Sequence, residues 1–504
     1  MRASTILFAL VPAVALVAEA ASDVLPDFAA WPPPSRRTAL VVDGRAPVIL
    51  APAHAAGQAA AKALQEALTR RLGVAPPLAT TLEQAEPGRQ TCIALGNMLD
   101  NPLLTRLYFS SYTYEDAQYP GGDGFTLRTV CDPHHWGGGK DVIVVGASQP
   151  QALSPAVARL LEALEGEGAA TTLPWTLVVE PSRALAPAAR EALLAKPVDP
   201  SFTAFRVNAE AYLKTGDETH ARLALAALDI MAGVYERQPD RKAPWPEETT
   251  SGAIAALWDA FDECPLISAE RRAAYLKAFF LWSRDLTRRS YEYRLIDEAF
   301  TVTWNHTTFA LLGLYHAGRY FDRHFQIPEA AEWLRRSRLG FAAQAQSWKP
   351  QEDADSYLVL TMDHVIRYAL AEWDLRFFES GLLQRYADYV VACGDNRLLP
   401  AGFGDSGYSV VPTMVRQALP IAFWWTRDSG YRWLLDQAHP GGWSSPTWQD
   451  VAPTPPERFV GLRVFPIDPR LYADIQRRPS YTEAFAPAEV ALEQAWDKIS
   501  FREN

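Results

Sequence analysis

The sequence predicts a mainly α-helical protein in which a small α/β sandwich domain precedes helical hairpins closed into an (α/α) toroid. Short apolar, β-rich runs alternate with helical stretches from about Arg37 to Ser182, as they do in α/β domains. From about Phe205 to Gln437, nearly every stretch has apolar residues at helical spacing. Thirteen of the sixteen tryptophans lie beyond residue 200.

Composition excludes several classes of protein. The 504 residues include 48 Lys and Arg against 59 Asp and Glu, a formal net charge of −11. Because the chain also has no basic run, it lacks the positive surface of a nucleic-acid-binding protein. Its four cysteines form no CxxC pair, which argues against a disulfide scaffold and the common zinc and iron–sulfur spacings. Cys92 and Cys131 could form a disulfide, but small buried thiols are the favoured interpretation.

The first twenty residues have the pattern of a secretory signal peptide. A basic start is followed by an apolar stretch from about Ile6 to Val17, and Ala18 and Ala20 are small residues of the kind that a signal peptidase reads. This stretch is too short to span a bilayer, and no later segment reaches the roughly twenty apolar residues of a membrane span. A buried N-terminal helix is the alternative. We expect residues 1–20 to be a signal peptide, residues 21–36 to be a linker, and the mature protein to be secreted or periplasmic.

Residues 37–182 are expected to form the small α/β domain. The predicted strands are Thr38–Val42, Pro47–Leu50, Thr91–Leu95, Phe125–Val130, Asp141–Val145 and Trp175–Val179, and the predicted helices are Ala53–Arg71 and Gln149–Glu167. The glycine-rich segments Gly137–Lys140 and Gly146–Ser148 flank strands. Since the chain has no GxGxxG and no GxxxxGK[ST] leading into a helix, we interpret them as turns rather than as phosphate-binding loops.

Residues 200–445 are expected to form the (α/α) toroid, followed by a C-terminal extension over residues 446–504. Many of the predicted helices carry apolar residues on one face and charges on the other, as antiparallel helices around a shared core require. No fixed repeat supports a TPR or ankyrin array. The predicted helices are Ala209–Lys214, His220–Arg237, Gly252–Asp262, Ala269–Tyr291, Thr301–Phe325, Pro328–Gln346, Tyr357–Phe378, Leu382–Cys393 and Val410–Ala438.

Several tryptophans beyond residue 200 lie in predicted loops beside acidic or polar residues. These are Trp245, Trp348, Trp443 and Trp448. Aromatic faces in a cleft bind the apolar faces of sugar rings, since Trp offers a large area with little rotamer entropy to lose. The pattern therefore favours a carbohydrate-binding cleft. The alternative is that most of these side chains belong to the core.

The segment Trp304-Asn305-His306 opens an apolar helix with a polar cluster. An amide and an imidazole at the end of an apolar helix are costly unless they are hydrogen-bonded or face a cavity. We therefore take Asn305 and His306 as candidate catalytic residues and Trp304 as a candidate substrate-binding residue. The alternative is a helix-capping Asn beside a hydrogen-bonded core histidine.

A second polar segment follows some fifty residues later, where Trp348 and three carboxylates within residues 352–355 precede Tyr357. A phenol can act as a base if a neighbouring cation lowers its pKa from about 10, and His364 and Arg367 lie on the helix predicted next. Tyr357 is thus a candidate catalytic residue, and Trp348 and Arg367 are candidate substrate-binding residues. The alternative for the carboxylates is a solvated helix cap.

A glycine-rich loop at residues 403–408 holds an acid and a phenol, Asp405 and Tyr408, which we take as candidate substrate-binding residues. A simple turn is the alternative. His134 and His135 could contact a metal, but no matching ligand lies at metal spacing. No metal and no cofactor are therefore expected.

Together these motifs resemble a known family. The Trp304-Asn305-His306 helix opening, the Asp355-Ser356-Tyr357 segment and the C-terminal phrase 496–502 resemble the toroid part of the heparinase II/III-like polysaccharide lyases. The resemblance covers roughly residues 205–504 and implies an (α/α) toroid followed by an antiparallel β-sandwich, with the site between them. The domain before it resembles the small N-terminal domains of several secreted carbohydrate-active enzymes.

The resemblance implies β-elimination at a uronic acid of a polysaccharide or oligosaccharide. Asn305 would hydrogen-bond the substrate carboxylate and make the C5 proton more acidic. His306 would assist that neutralisation, and Tyr357 would be the base or acid that moves the proton. Each role requires a polar group already placed where charge develops.

Two features depart from the family. Its second histidine and second tyrosine usually come from the β-sandwich, and nothing after Phe501 could build one, so we expect a fragment or a relative that has only the toroid. The net charge of −11 is also unfavourable for an anionic glycan unless arginines supply a local positive field. The candidates for that field are Arg284, Arg288, Arg289 and Arg367.

Two other functions stay open at this point. A glycoside hydrolase could use the same toroid with a carboxylate pair such as Asp355 and Asp405, whose separation would decide between inversion and retention. A secreted glycan-binding protein could use the aromatic loops to bind sugar without turning it over.

Overall fold

The computed structural model of the chain describes nine segments. These are residues 25–31, 33–133, 140–167, 171–289, 292–297, 305–346, 355–393, 411–438 and 452–457, without the side chains of residues 289, 355–358, 393, 411–417 and 438. The expected signal peptide, most of the expected C-terminal extension, and His134 and His135 lie outside the described residues.

The N-terminal part contains strands and helices in alternation. The strands are β1 (Arg37–Ala39), β2 (Val48–Leu50), β3 (Leu78–Ala79), β4 (Cys92–Gly96), β5 (Phe125–Val130), β6 (Val142–Ala147), β7 (Thr172–Pro174) and β8 (Leu177–Glu180). The helices among them are α1 (Ala55–Leu72), α2 (Leu82–Ala85), α3 (Pro102–Phe109) and α4 (Leu153–Gly166). Six strands form one mixed sheet in the order β3-β2-β4-β6-β5-β8, in which β2, β3, β4 and β6 are parallel and β5 is antiparallel to both of its neighbours.

Alternate residues of the central strands face opposite layers, as the pleat of a strand requires. Ile49, Ile93 and Ile143 belong to one core cluster with α1 and α4. Their neighbours Cys92 and Val142 belong to a second cluster that includes α3 and continues into the helical part. Both faces of the sheet are therefore covered, as parallel strands require, and the N-terminal and helical parts share one core.

The rest of the described chain is helical. Its helices are α5 (Pro187–Leu194), α6 (Phe202–Thr215), α7 (Glu218–Arg237), α8 (Trp245–Thr249), α9 (Ser251–Phe261), α10 (Ala269–Arg289), α11 (Asn305–Phe325), α12 (Pro328–Gln344), α13 (Asp355–Glu372), α14 (Arg376–Glu379), α15 (Leu382–Cys393), α16 (Val411–Thr426) and α17 (Ser429–Ala438). None of the described helices is both long enough and apolar enough to cross a membrane. The chain is thus mainly helical, with a small sheet region in its N-terminal part. Both features of the predicted fold class are confirmed.

Helices α9, α11 and α13 run in the same direction. The contacts between them pair early residues with early ones and late residues with late ones: Ser251 with Phe309 and Asp259 with Arg319 between α9 and α11, and Thr308 with His364 and Tyr315 with Glu372 between α11 and α13. Helix α12 runs against α13, since Phe341 stacks on Tyr368 and Arg338 binds Glu372. The N-terminal ends of α9, α11 and α13 therefore meet at one end of the helical part.

Helix α11 is the centre of this arrangement, with 17 of its 21 residues buried. Glycines allow its neighbours to approach closely. A Cβ atom at Gly318 would lie 2.8 Å from the backbone nitrogen of Leu334 on α12, and one at Gly313 would lie 2.6 Å from the side chain of Ser251 on α9. Because atoms of α9 and α12 leave no space for another carbon atom at these glycines, α11 is held in a fixed position against both helices.

Buried polar contacts join the sheet region to the helical part. Arg128 on β5 lies 3.2 Å from Glu263, just after α9, and both side chains are almost completely buried. The hydroxyl of Tyr112 donates to Asp259 at 2.6 Å, and Arg323 on α11 binds Asp132. Breaking a buried pair leaves an uncompensated charge, so these contacts fix how the two parts sit against each other.

Candidate functional site

The candidate site lies at the end of the helical part where α9, α11 and α13 begin. Polar side chains collect there against a largely apolar interior. Those of Asn305, Thr307, Thr308, His364 and Glu248 are buried, and His306 is partly exposed. Buried polar groups are costly unless they are hydrogen-bonded, and each of these has an identified partner.

His306 pairs with a carboxylate that the sequence analysis did not single out. Its Nδ1 atom lies 2.8 Å from Oε1 of Glu248 on the short helix α8. The Glu248 side chain is only 3% exposed, whereas that of His306 is 27% exposed. A carboxylate accepts hydrogen bonds, so this contact orients the ring and favours the proton on Nδ1. The arrangement is that of a histidine held by a buried acid and open on one side to solvent.

Asn305 is the first residue of α11 and is 3% exposed. Its Oδ1 atom accepts the backbone N–H of His306 at 2.9 Å. This contact satisfies one of the donors that a helix start leaves without an intrahelical partner. Asn305 therefore helps to cap α11, as the alternative interpretation of this residue expected.

The next turn of α11 anchors the site to its neighbours. Thr307 donates from its hydroxyl to Oε2 of Glu292 at 2.7 Å, and the Thr308 hydroxyl lies 2.9 Å from Nδ1 of His364 on α13. The His364 ring also meets Phe309 edge to face, with centroids 4.3 Å apart. These contacts set the rotation of α11 about its axis and so the direction of His306.

His364 is a neutral structural histidine. Burial, with a smaller contribution from the nearby Arg367, lowers its pKa from the ordinary value of 6.5 to about 3. Next to it, burial raises the pKa of Asp363, and this effect is opposed by Arg367. The Nε atom of Arg367 donates to Asp363 at 2.6 Å, and the Arg367 side chain is 53% exposed.

The described backbone places Tyr357 at the same end of the bundle as Asn305. Asn305 lies three residues before Thr308, and Tyr357 lies seven residues before His364, the partner of Thr308. At 1.5 Å per residue these offsets are about 4.5 and 10.5 Å along parallel helices. The backbone of Tyr357 therefore lies about one helical turn beyond the level of Asn305. Its side chain, like that of Asp355, is outside the described residues.

Four predicted substrate-binding residues also lie outside the described residues, namely Trp304, Trp348, Asp405 and Tyr408. Of the arginines expected to supply a positive field, Arg284 makes two bonds with the carboxylate of Glu329, at 2.8 and 2.7 Å, and Arg288 lies 4.0 Å from Asp285. These two charges are therefore largely balanced by their own partners.

The two glutamates of α8, Glu247 and Glu248, were not among the residues that the sequence pattern indicated. Glu247 is completely buried, and burial raises its pKa, partly offset by Arg241; its Oε1 atom accepts the backbone N–H of Phe202 at 3.2 Å. Glu248 faces His306 instead. A signal was present in the stretch after Trp245, where two adjacent acids follow a proline, but nothing in their spacing points to a histidine 58 positions later.

The structure also bears on the cysteines and on metal binding. Cys92, Cys131 and Cys264 are free thiols, and burial raises the pKa of Cys92 to about 12. In the part of the chain that the structure describes, no group of three or more His, Cys, Asp or Glu side chains could hold a metal ion.

Comparison with known proteins identifies no relative: no protein-family model, no curated protein and no solved structure matches the chain. The site therefore has to be interpreted from its own geometry.

Proposed function

We propose that the chain is a secreted polysaccharide lyase that cleaves a uronic-acid-containing glycan at the end of the helical part where α9, α11 and α13 begin. One observation carries the proposal. His306 is partly open to solvent while its Nδ1 atom is held 2.8 Å from the buried carboxylate of Glu248. A histidine oriented by a buried acid is a recurring device for handling protons and developing negative charge.

Helix direction supports the toroid part of the proposal. Neighbouring helices of one direction, α9, α11 and α13, alternate with helices that return the chain, such as α12. Nine of the 11 residues of α9 and 17 of the 21 residues of α11 are buried, as expected for the inner helices of an (α/α) toroid. In such a fold the starts of the inner helices line one mouth of the ring.

The helix ends favour an anionic sugar. Each helix N-terminus carries a partial positive charge equivalent to about half an elementary charge, and three of them meet at this end. A carboxylate approaching them is attracted even though the whole chain has a net charge of −11.

The proposed reaction is β-elimination. Hydrogen bonds from Asn305 and His306 to the uronate carboxylate stabilise the charge that develops when the C5 proton leaves. Tyr357 takes this proton, the electron pair of the C5–H bond forms the C4–C5 double bond, and the C4–O bond breaks. The leaving oxygen then receives a proton. Proton transfer by a placed side chain contributes about 10²–10⁴-fold to the rate.

Product chemistry tests the proposal against the two alternatives. The purified chain is incubated with alginate, polygalacturonate and hyaluronan, and with starch as a neutral polymer. A lyase produces unsaturated ends that absorb ultraviolet light, a hydrolase produces reducing ends without this absorbance, and a glycan-binding protein produces neither. We expect ultraviolet-absorbing ends from at least one carboxylated polymer and none from starch.

Two histidine variants tie the activity to the site. His306→Ala is expected to lower the rate by about 100-fold or more, while His220→Ala, at a partly exposed position on α7, keeps the rate. Circular dichroism checks that both variants fold. Reducing ends without ultraviolet absorbance, or an unchanged rate in His306→Ala, would refute the proposed chemistry.

A further inference from the structure

Trp245 is the most exposed of the large hydrophobic side chains in the described part of the chain, at 63%. By contrast, Trp258, Trp282 and Trp333 are among the largest fully buried side chains there. An indole left in water forgoes the free energy of burying a large apolar surface.

The backbone around Trp245 is held firmly. Trp245 is the first residue of α8 and stands between Pro244 and Pro246, whose rings restrict the chain. Two residues later, Glu247 is completely buried and accepts the backbone N–H of Phe202, and Glu248 is also buried. The indole thus projects from a short helix fixed on its other side, so little entropy is lost when a ligand contacts it.

Trp245 stands next to the candidate site. It lies three residues before Glu248, one turn earlier on the same short helix. Glu248 in turn contacts His306 at 2.8 Å. The backbone of Trp245 is therefore one helical turn from the residue that holds the His306 ring.

We propose that Trp245 is a stacking platform for the apolar face of a pyranose ring, in a subsite beside the His306–Glu248 pair. The proposal deepens the proposed function and rests on it for the location of bond cleavage. It adds that the substrate spans at least two sugar units, one at the histidine and one on the indole. Indole faces suit this role because axial C–H groups of a sugar present an apolar surface of similar size.

The test measures binding separately from turnover. Mobility in native gels containing polygalacturonate or hyaluronan is compared for the wild type, Trp245→Ala and Trp245→Phe. Trp31→Ala is the matched control, because Trp31 is also exposed, at 36%, but packs on Phe325 at the opposite end of α11. We expect Trp245→Ala to weaken retardation by about tenfold, Trp245→Phe to retain most of it, and Trp31→Ala to match the wild type.

A Tyr357→Phe variant distinguishes failure of the platform from failure of the lyase chemistry. Because the change removes only the hydroxyl that moves the proton, it is expected to be retarded like the wild type while losing turnover. If no polymer is cleaved but retardation still depends on Trp245, the platform stands and the lyase proposal fails. If Trp245→Ala is retarded as strongly as Trp31→Ala, or if neither gel retards the wild type, the platform is overturned.

Discussion

The Nδ1 atom of His306 lies 2.8 Å from the Oε1 atom of Glu248, a residue 58 positions earlier in the chain. The two side chains differ sharply in exposure, at 27% and 3%. A buried acid behind a partly exposed histidine keeps the ring in one orientation. This relationship makes Glu248 a positioning residue for the proposed chemistry.

Replacing Glu248 by Gln is expected to lower kcat by about 10–1,000-fold and to change KM little, because a neutral amide oxygen holds the His306 ring more weakly than a carboxylate does. Steady-state kinetics on the carboxylated polymer separates kcat from KM. Glu218→Gln, at an exposed position on α7 that pairs with Arg222, is the control and should leave kcat unchanged. An unchanged kcat in Glu248→Gln would show that the contact has no catalytic role.

Replacing Tyr357 by Phe is expected to abolish turnover and leave the fold intact. The change removes only the hydroxyl that moves the proton, worth about 10²–10⁴-fold in rate. Release of unsaturated ends and the thermal unfolding midpoint are measured together. Tyr108→Phe is the matched control, since this phenol on α3 donates to Asp116 in the sheet region, away from the site. Full activity in Tyr357→Phe would remove this residue from the mechanism.

His364 should make the stability of the protein depend on pH. Its pKa is lowered from 6.5 to about 3, chiefly by burial. The unfolded chain therefore takes up this proton first, and the stability present above pH 6.5 is lost progressively as the pH falls toward about 3. By pH 5 the loss from this group should be about 2 kcal/mol.

Urea unfolding at pH 7 and pH 5 measures this pH effect. His364→Asn should reduce the difference in the free energy of unfolding between the two pH values, because the titrating group is gone. His220→Asn, on α7, should keep the wild-type difference. If His364→Asn retained the whole difference, other groups would be responsible for it.

Gly318 tests the close packing of α11 on α12. A Cβ atom there would lie 2.8 Å from the backbone nitrogen of Leu334 and 2.9 Å from the backbone oxygen of Ala330. Backbone atoms cannot move aside locally, so Gly318→Ala should destabilise the protein by about 1–3 kcal/mol. Gly233→Ala on α7 is the control. Its nearest neighbour is the flexible end of Arg237 at 3.3 Å, and better helix propensity should make it neutral or stabilising by up to about 1 kcal/mol. Equal unfolding midpoints in urea would contradict this account of the packing.

Much of the secondary structure could be predicted because periodicity and caps are local signals. Strand β5 has the predicted bounds, Phe125–Val130, and helix α15 the predicted bounds, Leu382–Cys393. Helix α3 was missed although Asn101 and Pro102 mark its start; Asn101 Oδ1 accepts the N–H of Leu103 at 3.0 Å. A short helix with one such signal is easily mistaken for a loop.

Two helix breaks were not predicted, because neither is marked by a glycine or a proline. The predicted helices Tyr357–Phe378 and Val410–Ala438 are each divided in the structure, after Glu372 and after Thr426. The residues with positive φ at these breaks are Trp373 and Arg427, at 63° and 59°. Neither is a glycine, the residue that normally marks a left-handed turn. An Asp follows each of them, and Asp374 and Asp428 accept the backbone N–H groups of Arg376 and Gly430 at 3.4 and 2.8 Å.

The sequence by itself determined the kinds of element and their order: a sheet region first, then amphipathic and apolar helices, with Asn305 and His306 at the start of one of them. Only the tertiary structure decided which side chains meet there. Glu248 reaches His306, and Thr308 reaches His364, because α8, α11 and α13 pack together. Periodicity records which face of a helix is buried, but not which other helix covers it, since that choice depends on the fit of whole surfaces far apart in the chain.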